Sequence, residues 1–394
     1  MSGAFDVVVV GAGPAGLAAA CRAADSGARV VVLDDNTAAG GQIWRGEQGE
    51  WLERFAQSGA VLETQAAAID ERVRQRGKAV ILATGARELF LPFPGWTLPG
   101  VVGAGGLQAL IKSGYDVAGQ RVVVAGSGPL LYAAAALARE KGAAVMLVAE
   151  QAEGAAVKAF ARRLWRHPDK LAQGARLTMS LGGVASERGC WVEEALGRER
   201  VEWVRMRRGP RVWEERCDIL AAGFGLIPNV ELASMLGCQV REGVVETGEW
   251  QQTSVEGVYA AGEVTGIGGV DKAVVEGEIA GLAAVGRRAE AEPLFGKRAS
   301  WRRFGSELEK AFALRDEVKR LARAKTVVCR CEDVTLGQVQ GAAGWREAKL
   351  RTRCGMGACQ GRVCGAITRT LFGWGPAAPR PPLYPTRFED LLSE

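Results

Sequence analysis

Apolar positions come in short β-branched blocks punctuated by glycine, and the blocks recur in the same order twice. Apart from Asp6, residues 5–10 (Phe-Asp-Val-Val-Val-Val) show no polar alternation, as expected of a strand covered on both faces. An alanine-rich helix follows to Ala24 and ends at Gly27; Arg29–Leu33 is then a second buried strand closing on Asp34. Ala79–Ala83 is a third apolar strand, running into Thr84-Gly85. The order restarts with a strand at Arg121–Ala125, a turn at Gly126-Ser-Gly128, a helix at Leu130–Lys141 and a strand at Ala144–Val148 before Glu150. Two βαβ units of one design predict an α/β chain with two similar domains.

From 190 to 216 the pattern loosens. Trp191, Val201, Trp203 and Trp213 alternate with charges and Gly209-Pro210 makes a turn, which predicts antiparallel strands. Ile219–Gly223 and Gly257–Glu263 are apolar strands with sharp glycine ends, and a helix from about 270 to 287 follows the second. Arg302–Ala324 reads as a charged amphipathic connector helix. Prolines 376, 379, 381, 382 and 385 exclude helix and central strand from the tail, which should lie extended over this chain or a partner. The resulting boundaries are 1–98 with 244–292, an insert at 99–243, the connector at 293–325, a cysteine-rich segment at 326–372 and the tail at 373–394.

Length and composition narrow the classes. With 394 residues, 48% hydrophobic and 24% charged, the chain should form two or three domains. No apolar run reaches the ~18 residues of a membrane helix, and residues 5–20 are interrupted by glycines and a proline, unlike a signal peptide. A cytoplasmic protein is expected, peripheral to a membrane at most through its complex. The net charge of +5 is mild, and the basic residues between Arg162 and Arg211 are interleaved with Glu187, Glu193, Glu194 and Glu202, so a solvated face is expected and not nucleic-acid binding. One histidine, His167, leaves little room for Ser–His or Cys–His catalysis, and no catalytic residue is assigned.

The turn Gly11-Ala-Gly13-Pro14-Ala15-Gly16 opens a helix and can bring backbone amides to a pyrophosphate, while Asp34, or its neighbour Asp35, stands where an acid holds a ribose hydroxyl. The second turn, Gly126-x-Gly128-x-x-Leu131, lacks the third glycine, though Glu150 occupies the acid position. Its ligand is left open between NAD(H), ATP and none. Neither domain holds a CxxC, which argues against disulfide-reductase chemistry.

Nine cysteines are present and five fall between Cys329 and Cys364, as CxC followed by Cys354 and a Cx4C pair. Four thiolates converging from glycine-rich loops suit a [2Fe–2S] cluster, whereas zinc ribbons favour CxxC pairs. The expected ligands are Cys329, Cys331, Cys359 and Cys364, with Cys354 able to replace one; Cys21, Cys190, Cys217 and Cys238 are read as core residues.

Ala83-Thr84-Gly85 and Tyr259-Ala-Ala-Gly262-Glu263 resemble the later signatures of the FAD-dependent pyridine-nucleotide-reductase-like superfamily, and Gly40-Gly41-Gln42 resembles its flavin-side loop. The resemblance implies two Rossmann-like folds, one inserted in the other, FAD in the first, and Glu263 on the ribityl chain. With Gly266-Ile-Gly-Gly269 and the cysteine motifs added, nearly the whole chain resembles the α subunit of heteromeric amino-acid dehydrogenases of the D-hydroxyproline dehydrogenase, opine oxidase and hydrogen cyanide synthase type. The cysteine segment is similar to bacterioferritin-associated-ferredoxin-like [2Fe–2S] domains. One departure is that only about twenty residues separate Glu63 from Thr84, where that family has a longer β-meander. The resemblance implies a hetero-oligomer in which a flavoprotein β subunit oxidises the C–N bond, with a small third subunit or an FMN shared across an interface in some members. This chain would carry electrons onward, and exposed tryptophans such as Trp301 or Trp374 are candidate contacts.

Overall fold

The β-branched run Phe5–Val10 forms the middle strand of a five-stranded parallel sheet, which explains why Val7, Val8 and Val9 are wholly buried. The sheet runs Val258–Ala260, Gly77–Leu82, Phe5–Val10, Val30–Leu33, Val61–Glu63. The computed structural model describes residues 5–68, 70–375 and 379–386. They fall into two units, one of residues 1–87, 226–306 and 378–394, the other of 88–225 and 307–377.

In the first unit the helix Pro14–Asp25 lies against the helix Val270–Ala284. Glycines set their distance: a Cβ on Gly277 would sit 2.1 Å from the Ala15 carbonyl oxygen, and one on Gly281 2.3 Å from that of Ala19. Glu63 returns to Gly77 through a turn and a 3₁₀ stretch, Glu71–Arg76, so the departure from the longer family meander is a short crossing. Leu383 from the tail is buried in this unit's core, so that part of the tail covers its own chain; Pro376 lies outside the described residues.

The second unit has its own parallel sheet, ordered Val101–Gly103, Ile219–Gly223, Arg121–Gly126, Ala144–Glu150, Ala185–Arg188. The antiparallel strands expected from the loose alternation are Trp191–Leu196, Trp203–Arg208 and Arg211–Arg216. They share a core with one face of the parallel sheet (Val123, Ala125, Leu147) and with the cysteine segment (Val328, Trp345, Ile367). Trp96 is fully buried there and its indole N–H donates to the Val327 carbonyl at 2.7 Å. Cys21, Cys190, Cys217 and Cys238 are buried core residues, as the sequence predicts.

Two expectations need correction. The connector helix spans Phe295–Ala311 and stops there; a turn at Phe312 and irregular residues 313–315 precede a short helix, Asp316–Lys319. No proline or glycine ends it, and the hydrogen bonds that redirect residues 312–315 come from Ser127 and Gln151, each just past the end of a distant strand. Trp301 is not exposed: it is 7% accessible and packs with Val275, Ile279 and Leu282. Trp374 is half-buried and stacks on Phe372, with ring centroids 4.4 Å apart. No helix among the described residues is long and apolar enough to cross a membrane.

Candidate functional site

The first glycine turn leaves the carboxyl end of the central strand and is compressed as a nucleotide cradle requires. Gly11 has φ +106° and a Cβ there would meet the Ala83 carbonyl oxygen at 2.3 Å; a Cβ on Gly16 would meet that of Gly11 at 1.8 Å. Pro14 stands at the first turn of the helix, where a missing N–H goes unnoticed, and Ala15 packs beneath Gly262. Of the two candidate acids, Asp34 is buried and turned inward, accepting the Ala12 N–H at 2.5 Å and the Asn36 N–H at 2.8 Å; Asp35 is exposed. The loop at Gly40-Gly41 closes onto the turn: the Gly40 N–H donates to the Ala12 carbonyl at 2.8 Å, and a Cβ on Gly41 would lie 2.9 Å from Gly13 Cα. Gln42 beside it is exposed.

Thr84 and Gly85 are clasped to Asn229: Thr84 Oγ1 donates to the Asn229 carbonyl at 2.7 Å, and Asn229 Nδ2 returns to the Thr84 carbonyl at 2.9 Å. At the edge strand, Gly262 takes φ +85° and delivers Glu263 to the start of the helix Val270–Ala284. Glu263 Oε1 accepts the Gly269 N–H at 2.7 Å and the Gly268 N–H at 3.4 Å, whereas Oε2 is buried with no hydrogen-bond partner. Burial pushes this carboxyl above the usual range despite Lys272 nearby. A buried carboxylate oxygen without a donor is a place for a ligand hydroxyl, so the residues present fit a dinucleotide with a polyol chain such as FAD.

Sequence reasoning missed the support of this loop. Lys272, 3% accessible, donates to the carbonyls of Gly262 and Gly266, each at 2.9 Å, to Thr265 Oγ1 at 2.9 Å and to Glu276 at 2.8 Å. Glu276, fully buried, also accepts from Gly262 N–H at 3.1 Å and Arg302 Nε at 2.8 Å, and its carboxyl is held low by Lys272 and Arg302 in spite of burial. The available signal was a Lys and a Glu four residues apart in a helix rich in small and apolar residues.

In the second unit the strand Arg121–Gly126 ends in a turn with Gly126 at φ +143° and Gly128 at +97°. Leu131, in the place of a third glycine, is wholly buried. Glu150 is also wholly buried; Oε2 accepts the Gly128 N–H at 2.7 Å and Oε1 the Ala152 N–H at 2.8 Å, and desolvation pushes its carboxyl up to about 7.

The five C-terminal cysteines form one connected group. The thiols of Cys329, Cys354 and Cys364 lie within 4.8 Å of one another. Cys359 contacts Cys364 and Cys331, its thiol is held down to about 5, and Cys331 is exposed. Cys354, set aside on spacing, thus belongs to the closest triad, while Cys331 joins through Cys359. Hydrogen bonds from Cys354 and Cys364 hold the Cys329 thiol far below its usual range and push Cys364 up. So many thiols at contact cannot all ionise without a cation, and a metal or iron–sulfur centre fits that donor set. Close packing shapes the loop: a Cβ on Gly357 would lie 2.2 Å from Cys331 Cβ, and one on Gly355 2.5 Å from the Trp345 ring.

Two parallel sheets, each with a glycine turn at the end of one strand and an acid at the end of the next, define a flavoprotein oxidoreductase with paired dinucleotide folds. Residues 54–277 match the pyridine nucleotide-disulphide oxidoreductase family and residues 6–93 the FAD dependent oxidoreductase family; the chain belongs to the former. It is similar along its length to an opine oxidase subunit from Rhizobium meliloti, 33% identical over 93% of this chain and 92% of that protein. It is likewise similar to the hydrogen cyanide synthase subunit HcnB of Pseudomonas protegens, 31% identical over 97% and 96%. Among solved structures, the L-proline dehydrogenase from P. horikoshii shares the fold with a TM-score of 0.66 at 19% identity, covering 99% of this chain and 79% of that one. Thioredoxin reductase of T. acidophilum matches 72% of this chain and 98% of its own with a TM-score of 0.57 at 24% identity.

Proposed function

We propose that this chain is the FAD- and [2Fe–2S]-carrying electron-transfer subunit of a heteromeric dehydrogenase, whose flavoprotein partner oxidises the C–N bond of an amino or imino acid. The observation that carries the reading is the pairing, in one chain, of a cradle suited to FAD with five contiguous thiols. Full-length similarity to subunits of opine oxidase and hydrogen cyanide synthase supports the heteromeric part. Bound FAD would supply two-electron and the cluster one-electron redox chemistry.

The chain's own residues act by holding and orienting. Gly11, Gly13 and Gly16 would present backbone to the pyrophosphate, Asp34 would stand beside the adenosine ribose, and Glu263 Oε2 would receive a ribityl hydroxyl. Lys272 and Glu276 brace the loop that carries Glu263. Four of the five thiolates hold the cluster, in the set Cys329, Cys331, Cys359 and Cys364. No histidine or free carboxylate pair among the described residues adjoins these sites to move a substrate proton, so oxidation of the donor falls to the partner.

The test is anaerobic purification of the chain alone and co-expressed with the products of its neighbouring genes. Flavin bands and about two irons per chain, with bleaching by an amino acid only in the co-expressed complex, are expected. Zinc in place of iron, or a folded chain without flavin, would overturn the reading.

A further inference from the structure

The break in the connector helix has a counterpart in the second glycine turn. Ser127, at the apex of Gly126-Ser-Gly128 and 7% accessible, donates Oγ to the Phe312 carbonyl at 2.7 Å. Gln151, the first residue past the strand Ala144–Glu150 and wholly buried, donates Nε2 to Ser127 Oγ at 2.9 Å and to the Ala313 carbonyl at 3.1 Å. Its Oε1 accepts the Arg315 N–H at 3.0 Å. Around these bonds the Phe312 ring meets Phe160 edge-on with centroids 5.7 Å apart, and the Arg315 guanidinium lies 5.0 Å from the Trp191 ring centroid and pairs with Glu153.

A dinucleotide in such a fold lies outside the carboxyl ends of the strands, with its pyrophosphate over the glycine turn and a ribose on the acid of the second strand. Here the polar groups flanking that acid are already used by residues 312–315. Glu150, like Asp34, is held by two backbone N–H groups, here those of Gly128 and Ala152, so what sets this crevice apart is the seating of residues 312–315. The face of Gly128 itself stays open, since a Cβ there would meet nothing within 4 Å. What has been taken is the adenosine side.

We infer that the second nucleotide-like crevice is a binding site for the chain's own segment Phe312–Arg315, and that this segment excludes NAD(P)H and free adenine nucleotides. The buried hydroxyl and amide of Ser127 and Gln151 are satisfied by main-chain carbonyls where a ribose would otherwise satisfy them. The fold thereby anchors the segment leading into the cysteine region, and reduction by NAD(P)H is closed to this chain. The inference does not rest on the cluster or on the amino-acid reaction.

The experiment uses the full-length flavoprotein and the double variant Phe312→Gly, Arg315→Ala, which alters the segment and leaves the crevice intact. Binding of NADH, NADPH and ADP is followed by calorimetry, flavin bleaching by NADH is followed spectrally, and trypsin cleavage is followed at Lys310, Lys319, Arg320, Arg323 and Lys325. The wild type should show no saturable binding and no bleaching, with the segment protected. In the variant, cleavage should rise by about tenfold or more as local opening becomes easier, and ADP binding should appear. Saturable nucleotide binding by the wild type with the segment still protected would overturn the inference. So would a variant that is readily cleaved yet binds no nucleotide. Neither result depends on iron content or on a partner, so failure here is distinct from failure of the electron-transfer reading.

Discussion

A four-thiolate centre at the C-terminal site would leave one of the five thiols over, and the CxC and Cx4C spacing leaves over Cys354. Cys329, Cys354 and Cys364 touch one another, Cys364 also touches Cys359, and Cys359 touches Cys331. A [2Fe–2S] rhomb takes two thiolates per iron, which the pairs at 329/331 and 359/364 supply. We expect Cys329→Ser and Cys364→Ser to lose iron and visible absorbance, and Cys354→Ser to keep about two irons per chain. Loss of iron from Cys354→Ser with retention in Cys331→Ser would move the ligand set onto the close triad. Glu150 yields a second residue-scale prediction, independent of any cofactor. Its carboxyl is raised in the folded protein from 4.5 to about 7, mainly by desolvation, so its contribution to stability is present below pH 4.5 and is lost as pH rises through 7. The difference in unfolding free energy between wild type and Glu150→Gln should therefore fall by roughly 3 kcal/mol from pH 4.5 to pH 8. A difference independent of pH would show that Glu150 titrates normally.

At the level of elements, the helices Pro14–Asp25 and Val270–Ala284 meet backbone to backbone, and this contact positions both the first glycine turn and the Glu263 loop. An alanine at Gly281 would drive a methyl into the Ala19 carbonyl at 2.3 Å, and no side-chain rotation relieves a clash with backbone. Gly281→Ala should destabilise the protein by about 3 kcal/mol or more and weaken flavin retention. Gly296→Ala, in the helix Phe295–Ala311 with nothing within 4 Å of the new Cβ, should be neutral or stabilising by up to ~1 kcal/mol. Equal effects of the two substitutions in chemical denaturation would count against this packing account. The strands, both glycine turns and the cysteine motif were legible in the sequence because each depends on local pattern: β-branched runs, glycines at forced φ, and short spacings. The end of the helix at Ala311 was not, because Ser127 and Gln151, more than 150 residues away, redirect the chain there. Nor was the burial of Trp301, or the closeness of Cys354 to Cys329, for tertiary packing sets both.

Taken as a whole, the chain divides its chemistry as it divides its cores. The dinucleotide cradle and its Lys272–Glu276 brace belong to the unit of residues 1–87 and 226–306, while the cysteine group shares a core with the unit of residues 88–225. Ligands that bind only the folded state stabilise it by mass action, on the order of 4 kcal/mol when present at a thousand times their dissociation constant. Because the two sites sit in different cores, each cofactor should stabilise mainly its own unit. Removing FAD from the purified protein should then raise amide exchange, followed by mass spectrometry, in peptides covering 11–16, 40–45 and 262–284, and leave the cysteine segment protected. Chelating iron should do the reverse: peptides covering 327–331 and 345–364 should open, and with them the strands around Trp96 and Trp191 that share their core. Loss of either cofactor that deprotected both sets equally would mean that the chain unfolds as a single cooperative body. In that case, supporting a partner subunit would require both cofactors at once. If each set responds alone, the two sites can be loaded and titrated separately within one chain.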